Sequence, residues 1–198
     1  MINLNGYRCI LASKSPRRQE LLKMLGIGFE VDSADVKEIE QGESPVAIAM
    51  ENAKLKAFDV ARRYNVDKCV VIGADTIVHR DNYIWGKPGS QEEARIFLLQ
   101  LEDGWHQVTT AVCLVDSKKM SLFHVTTDVH FTKIDEVILE MYMKSAESLD
   151  KAGGYGIQGG AQMFIDRISG SYSNVVGLPV IELIQKIREF VRMRGEEN

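Results

Sequence analysis

Cys9-Ile10-Leu11-Ala12-Ser13-Lys14-Ser15-Pro16-Arg17-Arg18 is the stretch on which the fold turns. Residues 9–12 form an apolar run of strand type, and helix-start signals follow at once: Ser15 as N-cap and Pro16 at the first helical position. The helix then carries Leu21, Leu22 and Leu25 on one face and stops at Gly26, a plausible C-cap. A strand handed directly to a helix is the unit from which α/β sheets are built. The first helical turn breaks a rule, however. Arg17 and Arg18 stand where the macrodipole favours acids, at a cost of roughly 0.3–1 kcal/mol each when exposed. Free backbone N–H groups, two serine hydroxyls and two guanidinium forks at such a turn make a site for a polyanion, most naturally a phosphate chain. The competing interpretation is a solvated basic turn paired with acids elsewhere in the chain.

Working outward, the 198 residues suit one domain, or two closely joined lobes, over positions 1–198, with ample core. A 45% hydrophobic and 26% charged composition is that of an ordinary globular enzyme. The formal net charge of -4 argues against a nucleic-acid polymer as partner, so any anion site must be local. Cys9, Cys69 and Cys113 are odd in number and lie in apolar runs, as reduced core residues would. No stretch approaches the length of a membrane span, and residues 1–5 lead into no secretory segment, so a cytoplasmic location and no membrane partner are expected.

Downstream, Phe29 to Asp32 reads as a short strand, and 33–43 as a polar loop with Asp35, Glu38 and Glu40. Taken alone, that loop is a solvated acidic segment. Ser44-Pro45 repeats the cap-plus-proline signal and opens a helix to about Tyr64, whose small stripe Ala49, Ala53, Ala57, Ala61 permits close packing on a sheet. Lys56 lies at the edge of that stripe. It either snorkels to water or points into a cleft, and periodicity favours snorkelling.

Cys69-Val70-Val71-Ile72-Gly73 is a continuous apolar run, as in a strand buried on both faces, and it delivers Asp75 just past its end. Open α/β sheets present functional groups there, although aspartate in such a turn often only caps backbone N–H groups. Residues 77–79 and 83–85 form a hairpin that returns Lys87, set between Gly86 and Pro88, towards Asp75. Ser90 and Glu93 make a capping box. Val108 to Val115 and Leu122 to Phe131 should pair about the turn 116–119. Asp135 to Ser145 is helical, with Val137, Ile138, Met141 and Tyr142 as its buried side. Gly154, Gly156 and Gly159 match G-x-G-x-x-G, but no strand precedes and a strand follows, so a dinucleotide fold is rejected. Gln158, with both donor and acceptor, suits the edge of a base. Residues 169–174 read as a polar turn, and the last helix places Ile181, Ile184, Ile187 and Val191 on its core face. The tail 194–198 is polar and reads as frayed.

Five motifs in order, Ser13-x-Ser15-Pro16-Arg17-Arg18, Gly73-Ala74-Asp75-Thr76, Gly86-Lys87-Pro88, Asp150-Lys151-Ala152-Gly153-x-Tyr155-Gly156-Ile157-Gln158 and Asn174-Val175-Val176-Gly177-Leu178-Pro179, resemble the Maf family of nucleoside triphosphate pyrophosphatases. The resemblance implies an elongated mixed α/β sheet flanked by helices, similar to the ITPase-like fold, with a deep cleft between two lobes, and a homodimer. It also implies cleavage of a nucleoside triphosphate to the monophosphate and pyrophosphate with Mg²⁺ or Mn²⁺, and the Tyr-Gly-Ile-Gln form resembles the branch acting on dTTP and UTP. By the same likeness Ser13, Arg17, Arg18, Lys56 and Lys87 hold the phosphates. Asp75 is the general base or a metal ligand, with Lys87 and Arg18 beside it in the catalytic set. Glu38 is a second metal ligand, for which Asp35 or Glu40 could substitute, and Gln158 contacts the base. Lys14 fills a variable slot, and Ser171 stands where many relatives have aspartate. A nucleotide-binding regulator of septum formation and a phosphatase releasing orthophosphate are the alternatives.

Overall fold

The computed structural model describes residues 4, 6–64, 67–145 and 147–192; the expectations for the tail 194–198 and, Leu4 apart, for the leading segment lie outside them. One seven-stranded mixed sheet runs through the molecule. Its strands are β1 (Arg8–Leu11), β2 (Glu30–Val31), β3 (Cys69–Arg80), β4 (Tyr83–Trp85), β5 (Gly104–Val115), β6 (Met120–Phe131) and β7 (Ile165–Ser169). The order is β2-β1-β3-β5-β6-β7, with β4 also on β3; β1 pairs in parallel with β2 and β3, and the remaining pairs are antiparallel. The helices are α1 (Pro16–Met24), α2 (Pro45–Ala61), α3 (Gln91–Leu101), α4 (Glu136–Lys144), α5 (Tyr172–Val176) and α6 (Val180–Arg192).

The continuous apolar runs are explained by helices on both faces of the central strands. Leu11, Val70, Ile72, Val112 and Leu114 face Leu22 of α1 and Leu183 and Ile187 of α6, while their neighbours Ile10, Val71, Ala111 and Cys113 face α2. A third cluster, around Leu98, Leu101, Phe131, Leu139 and Phe164, joins α3 and α4 to the other end of the sheet. The three cysteines are free and buried, and burial pushes the thiols of Cys9 and Cys113 up to about 12, as expected of inert core residues.

Helix α2 lies hard against β3. A Cβ at Gly73 would come within 2.3 Å of the Ala53 carbonyl oxygen and 2.6 Å of the Ala57 nitrogen. The glycine therefore sets the approach, and Ala49, Ala53 and Ala57 are fully buried. Ser44 caps this helix by accepting from the Ala47 N–H, 3.2 Å away.

Several expectations need correction. Asp75 is not past the end of its strand but inside it. What ends at Ile72 is the pairing of β3 with β1, and β4 takes up that edge only at Val78. The interval holds Asp75 and Thr76, backed by β5 alone. Ser15 occupies the N-cap position without a side-chain cap bond, and its N–H donates to the Ser13 hydroxyl, 3.2 Å away. In α4 the buried side is Leu139, Tyr142 and Met143, whereas Val137 and Met141 are exposed. In α6 Ile181 is exposed, and Leu183 and Phe190 join Ile187 and Val191 in the core. Both helices carry apolar residues on more than one face, so spacing alone admits two solutions. Residues 172–176 form the short helix α5, with Ser171 accepting from the Asn174 N–H.

Candidate active site

The unpaired edge of β3 opens into a cavity of about 920 Å³. Its lining includes Ser13, Arg17 and Arg18 from the β1–α1 turn, Glu38 and Glu40 from the 33–43 loop, Asn52 and Lys56 from α2, and Asp75, Lys87 and Gln158. The residues assigned from the sequence to the phosphates, the catalytic set, the metal and the base thus meet one space. Of the G-x-G-x-x-G glycines, Gly154 ends the 3-10 turn Ala152–Gly154, and Gly156 and Gly159 link it to a second, Gly160–Met163, before β7, so they form no strand-to-helix phosphate loop.

At the floor, Lys56 Nζ lies 2.6 Å from Asp75 Oδ1 and 2.7 Å from Glu38 Oε1. Lys56 therefore points into the cleft and does not snorkel. The tight seat of α2 on Gly73 aims its stem at β3, and two charge-assisted bonds replace the lost hydration. Burial alone would raise the Glu38 carboxyl, but its bond and charge interaction with Lys56, aided by Lys87 and Arg18, hold it below its ordinary value. Asp75 Oδ2 is approached by Asn52 Nδ2 at 3.4 Å.

Arg18 ties three segments together. Its Nε donates to the Gly177 carbonyl at 2.8 Å, Nη1 to Ser13 Oγ at 3.1 Å and Nη2 to Thr76 Oγ1 at 3.0 Å. Burial lowers this guanidinium from its ordinary value against the pull of Asp75. Thr76 Oγ1 shares a hydrogen bond with Thr110 Oγ1 at 2.9 Å, and behind it the fully buried Asn174 accepts from the Thr110 N–H and donates to Val108 O and Thr127 Oγ1. Arg17 turns the other way, 3.6 Å from Asp150 at the mouth. Lys87 and Gln158 are exposed on the cavity wall, and neither hydrogen-bonds Asp75 among the described residues.

Asn52 is the residue that sequence reasoning missed. A signal was present: Asn52 and Lys56 are four apart on α2 beside the alanine stripe, hence on one face. Thr76 and Asn174 lay within recognised motifs, but their bridging role depends on β5, which only the fold brings alongside.

A divalent ion of the Mg²⁺ class takes hard oxygen ligands and retains water. Glu38 and Asp75 supply such oxygens and already converge on one cationic atom, Lys56 Nζ, so this pair fits the requirement. Among the described residues, no group of three or more His, Cys, Asp or Glu side chains is placed to hold a metal. Glu40 lines the cavity; Asp35, absent from the lining, is anchored by its N–H to Asp59 Oδ2.

The family profile described as "Maf-like protein" matches residues 8–190. A protein named dTTP/UTP pyrophosphatase from Aquifex aeolicus (strain VF5) is 43% identical over 188 residues, spanning 95% of this chain and 98% of that protein. Another of that name, from Bacillus mycoides (strain KBAB4), is 41% identical over 184 residues, 92% of this chain and 95% of its own length. Among solved structures, a HAM1 protein from Coxiella burnetii superposes with a TM-score of 0.56 at 13% identity, over 92% of this chain and 99% of that one, a likeness of fold alone. With its motifs gathered around one cavity and the family profile covering nearly its whole length, the chain belongs to the Maf-like protein family.

Proposed function

We propose that the protein hydrolyses nucleoside triphosphates, dTTP and UTP foremost, to the monophosphate and pyrophosphate, using a divalent ion, Mg²⁺ or Mn²⁺, held by Glu38 and Asp75. The observation that carries this reading is the buried Asp75 on the cavity floor, facing Lys56 and Glu38 and flanked by the basic turn 13–18. The relatives' names support the same substrates.

A triphosphate brings several negative charges, and the chain meets them from separate elements. The β1–α1 turn offers Arg17 and backbone N–H groups other than that of Ser15, which the Ser13 hydroxyl holds. Arg18 has five N–H donors, of which three are committed to Gly177, Ser13 and Thr76, so two remain for a phosphate oxygen. Lys56 at the floor and Lys87 on the wall add charge. When bound, the divalent ion neutralises phosphate charge and lowers the pKa of water. Asp75 orients a water towards the α-phosphorus and takes its proton as the new P–O bond forms. The bond from the α-phosphorus to the bridging oxygen breaks, and pyrophosphate leaves with that oxygen. Gln158, at the rim, presents an amide complementary to the N–H and carbonyl edge of uracil or thymine.

The test is product analysis with dTTP, UTP, CTP, ATP, GTP and 7-methyl-GTP, with Mg²⁺ or Mn²⁺, separating pyrophosphate from orthophosphate. UMP or dTMP with pyrophosphate is the expected result. Orthophosphate release would contradict it, and binding without products would make the chain a nucleotide-binding regulator.

A further inference from the structure

The 33–43 loop carries Glu38, yet residues 33–42 have no helix or strand to fix them. Something else must hold Glu38 opposite Asp75. Asn52 is 3% exposed, and its amide grips one residue of that loop from both ends. Its Oδ1 accepts from the Ile39 N–H at 2.7 Å, and its Nδ2 donates to the Ile39 carbonyl at 3.0 Å. A side chain here does what a neighbouring strand's peptide group would do. The second Nδ2 proton is directed to Asp75 Oδ2 at 3.4 Å, so the three hydrogen-bonding positions used tie loop, helix and strand together. Flipping the amide would set its NH₂ against the Ile39 N–H and its oxygen against a carbonyl and a carboxylate, so the orientation is fixed by its partners.

The position in sequence adds to the case. Ile39 follows Glu38 directly, and Lys56, one helical turn after Asn52, bonds Glu38 and Asp75. The Asp75 carboxylate is thereby shared, Oδ1 to Lys56 and Oδ2 to Asn52. Two further anchors of the loop among the described residues, Asp35 to Asp59 and Ser33 to Arg63, lie three or more residues upstream of Glu38. They fix where the loop leaves β2, not where Glu38 points.

We propose that Asn52 is a positioning residue: by clasping the Ile39 backbone and Asp75 Oδ2 it sets the Glu38 and Asp75 carboxylates facing one another for a shared cation. The inference rests on the reading of that pair as the metal-binding carboxylates. Asn52 itself touches neither substrate nor metal, and its effect passes through the two acids.

The test compares Asn52→Leu, which keeps the branching at Cγ without polarity, and Asn52→Asp, which keeps shape but turns an oxygen towards the Ile39 carbonyl and Asp75. Mn²⁺ alone is titrated into each full-length variant and followed by the electron paramagnetic resonance signal of the free ion; kcat and KM for UTP are measured beside it. Both variants should bind Mn²⁺ about tenfold or more weakly, the scale of outer-shell changes at metal sites, with kcat reduced and KM for UTP little changed. Exchange of the Ile39 amide should quicken. Should the leucine variant fail to fold, the isosteric aspartate variant carries the same comparison. Native Mn²⁺ binding and kcat in a folded variant would overturn the positioning role. Glu38→Gln, titrated in parallel, separates the two readings: if it loses Mn²⁺ while the Asn52 variants do not, only the role of Asn52 fails. If the parent protein and Glu38→Gln bind Mn²⁺ alike, the carboxylate reading falls and this inference with it.

Discussion

The floor and the mouth of the cavity are built differently. On the floor Asp75 and Asn52 are 5% and 3% exposed, and each polar group is matched by a partner on another element. At the mouth Asp150 is 68% exposed on its side chain, Lys87 and Gln158 face solvent, and Arg17 reaches Asp150 only at 3.6 Å. Buried charges cost so much unless paired that the floor must be assembled before a ligand arrives, whereas exposed charges pay little for waiting. Floor residues should therefore govern turnover, and mouth residues should govern affinity.

The largest effect expected is that of Asp75→Asn, which keeps the volume but cannot take a proton. Its kcat should fall by about 10²–10⁴, the range for a lost general base, with UTP binding retained. Near-normal turnover in the folded variant would break the division between floor and mouth at its centre. Gly73→Ala acts on the same floor through packing. Its methyl has no room against Ala53 and Ala57, so α2 must move with Asn52 and Lys56; a loss of about 1–3 kcal/mol in unfolding free energy is expected, with lower kcat. Unchanged denaturant midpoint and activity would show that the helix tolerates displacement.

Lys87→Ala, at the mouth, should raise KM for UTP about tenfold, consistent with one lost charge-assisted bond, and leave kcat much less affected. A change confined to kcat would move Lys87 into the floor group. Outside the contrast of floor and mouth lies a pH effect on stability, behind the wall. Tyr155 lines the cavity, and its hydroxyl lies 2.6 Å from Nε2 of buried His106. Burial, with the nearby Arg80 charge, lowers this imidazole from 6.5 to about 3. Between those values the unfolded chain binds a proton that the folded chain does not, so stability falls as pH drops from about 6.5 towards 3. The slope from this group is at most about 1.4 kcal/mol per pH unit, and His106→Gln should flatten it in melts taken across that range. An unchanged slope would mean that carboxylates carry the acid lability.

Much of this layout was legible in the residues. The run 9–18, the two proline-capped helices and the hairpin at 80–83 depend on local chemistry, and the structure keeps all of them. Local pattern was insufficient wherever a third element decides the outcome. Lys56 looked like a snorkelling surface residue because the spacing of α2 is silent about the acids delivered by β3 and the 33–43 loop. The two arginines looked alike in sequence, yet Thr76 and Gly177 draw Arg18 inward while Asp150 holds Arg17 at the mouth. Val137, Met141 and Ile181 were assigned to the core by a periodicity that their own helices satisfy in two ways.

The most direct measurement is hydrolysis of UTP in H₂¹⁸O, with the label located by mass spectrometry. Water aimed by Asp75 at the α-phosphorus places ¹⁸O in UMP and leaves the pyrophosphate unlabelled. Label in pyrophosphate would put the attack on the β-phosphorus, and label in orthophosphate would put it at the end of the chain; either would contradict the assignment of Asp75 and the cavity floor to the α-phosphorus.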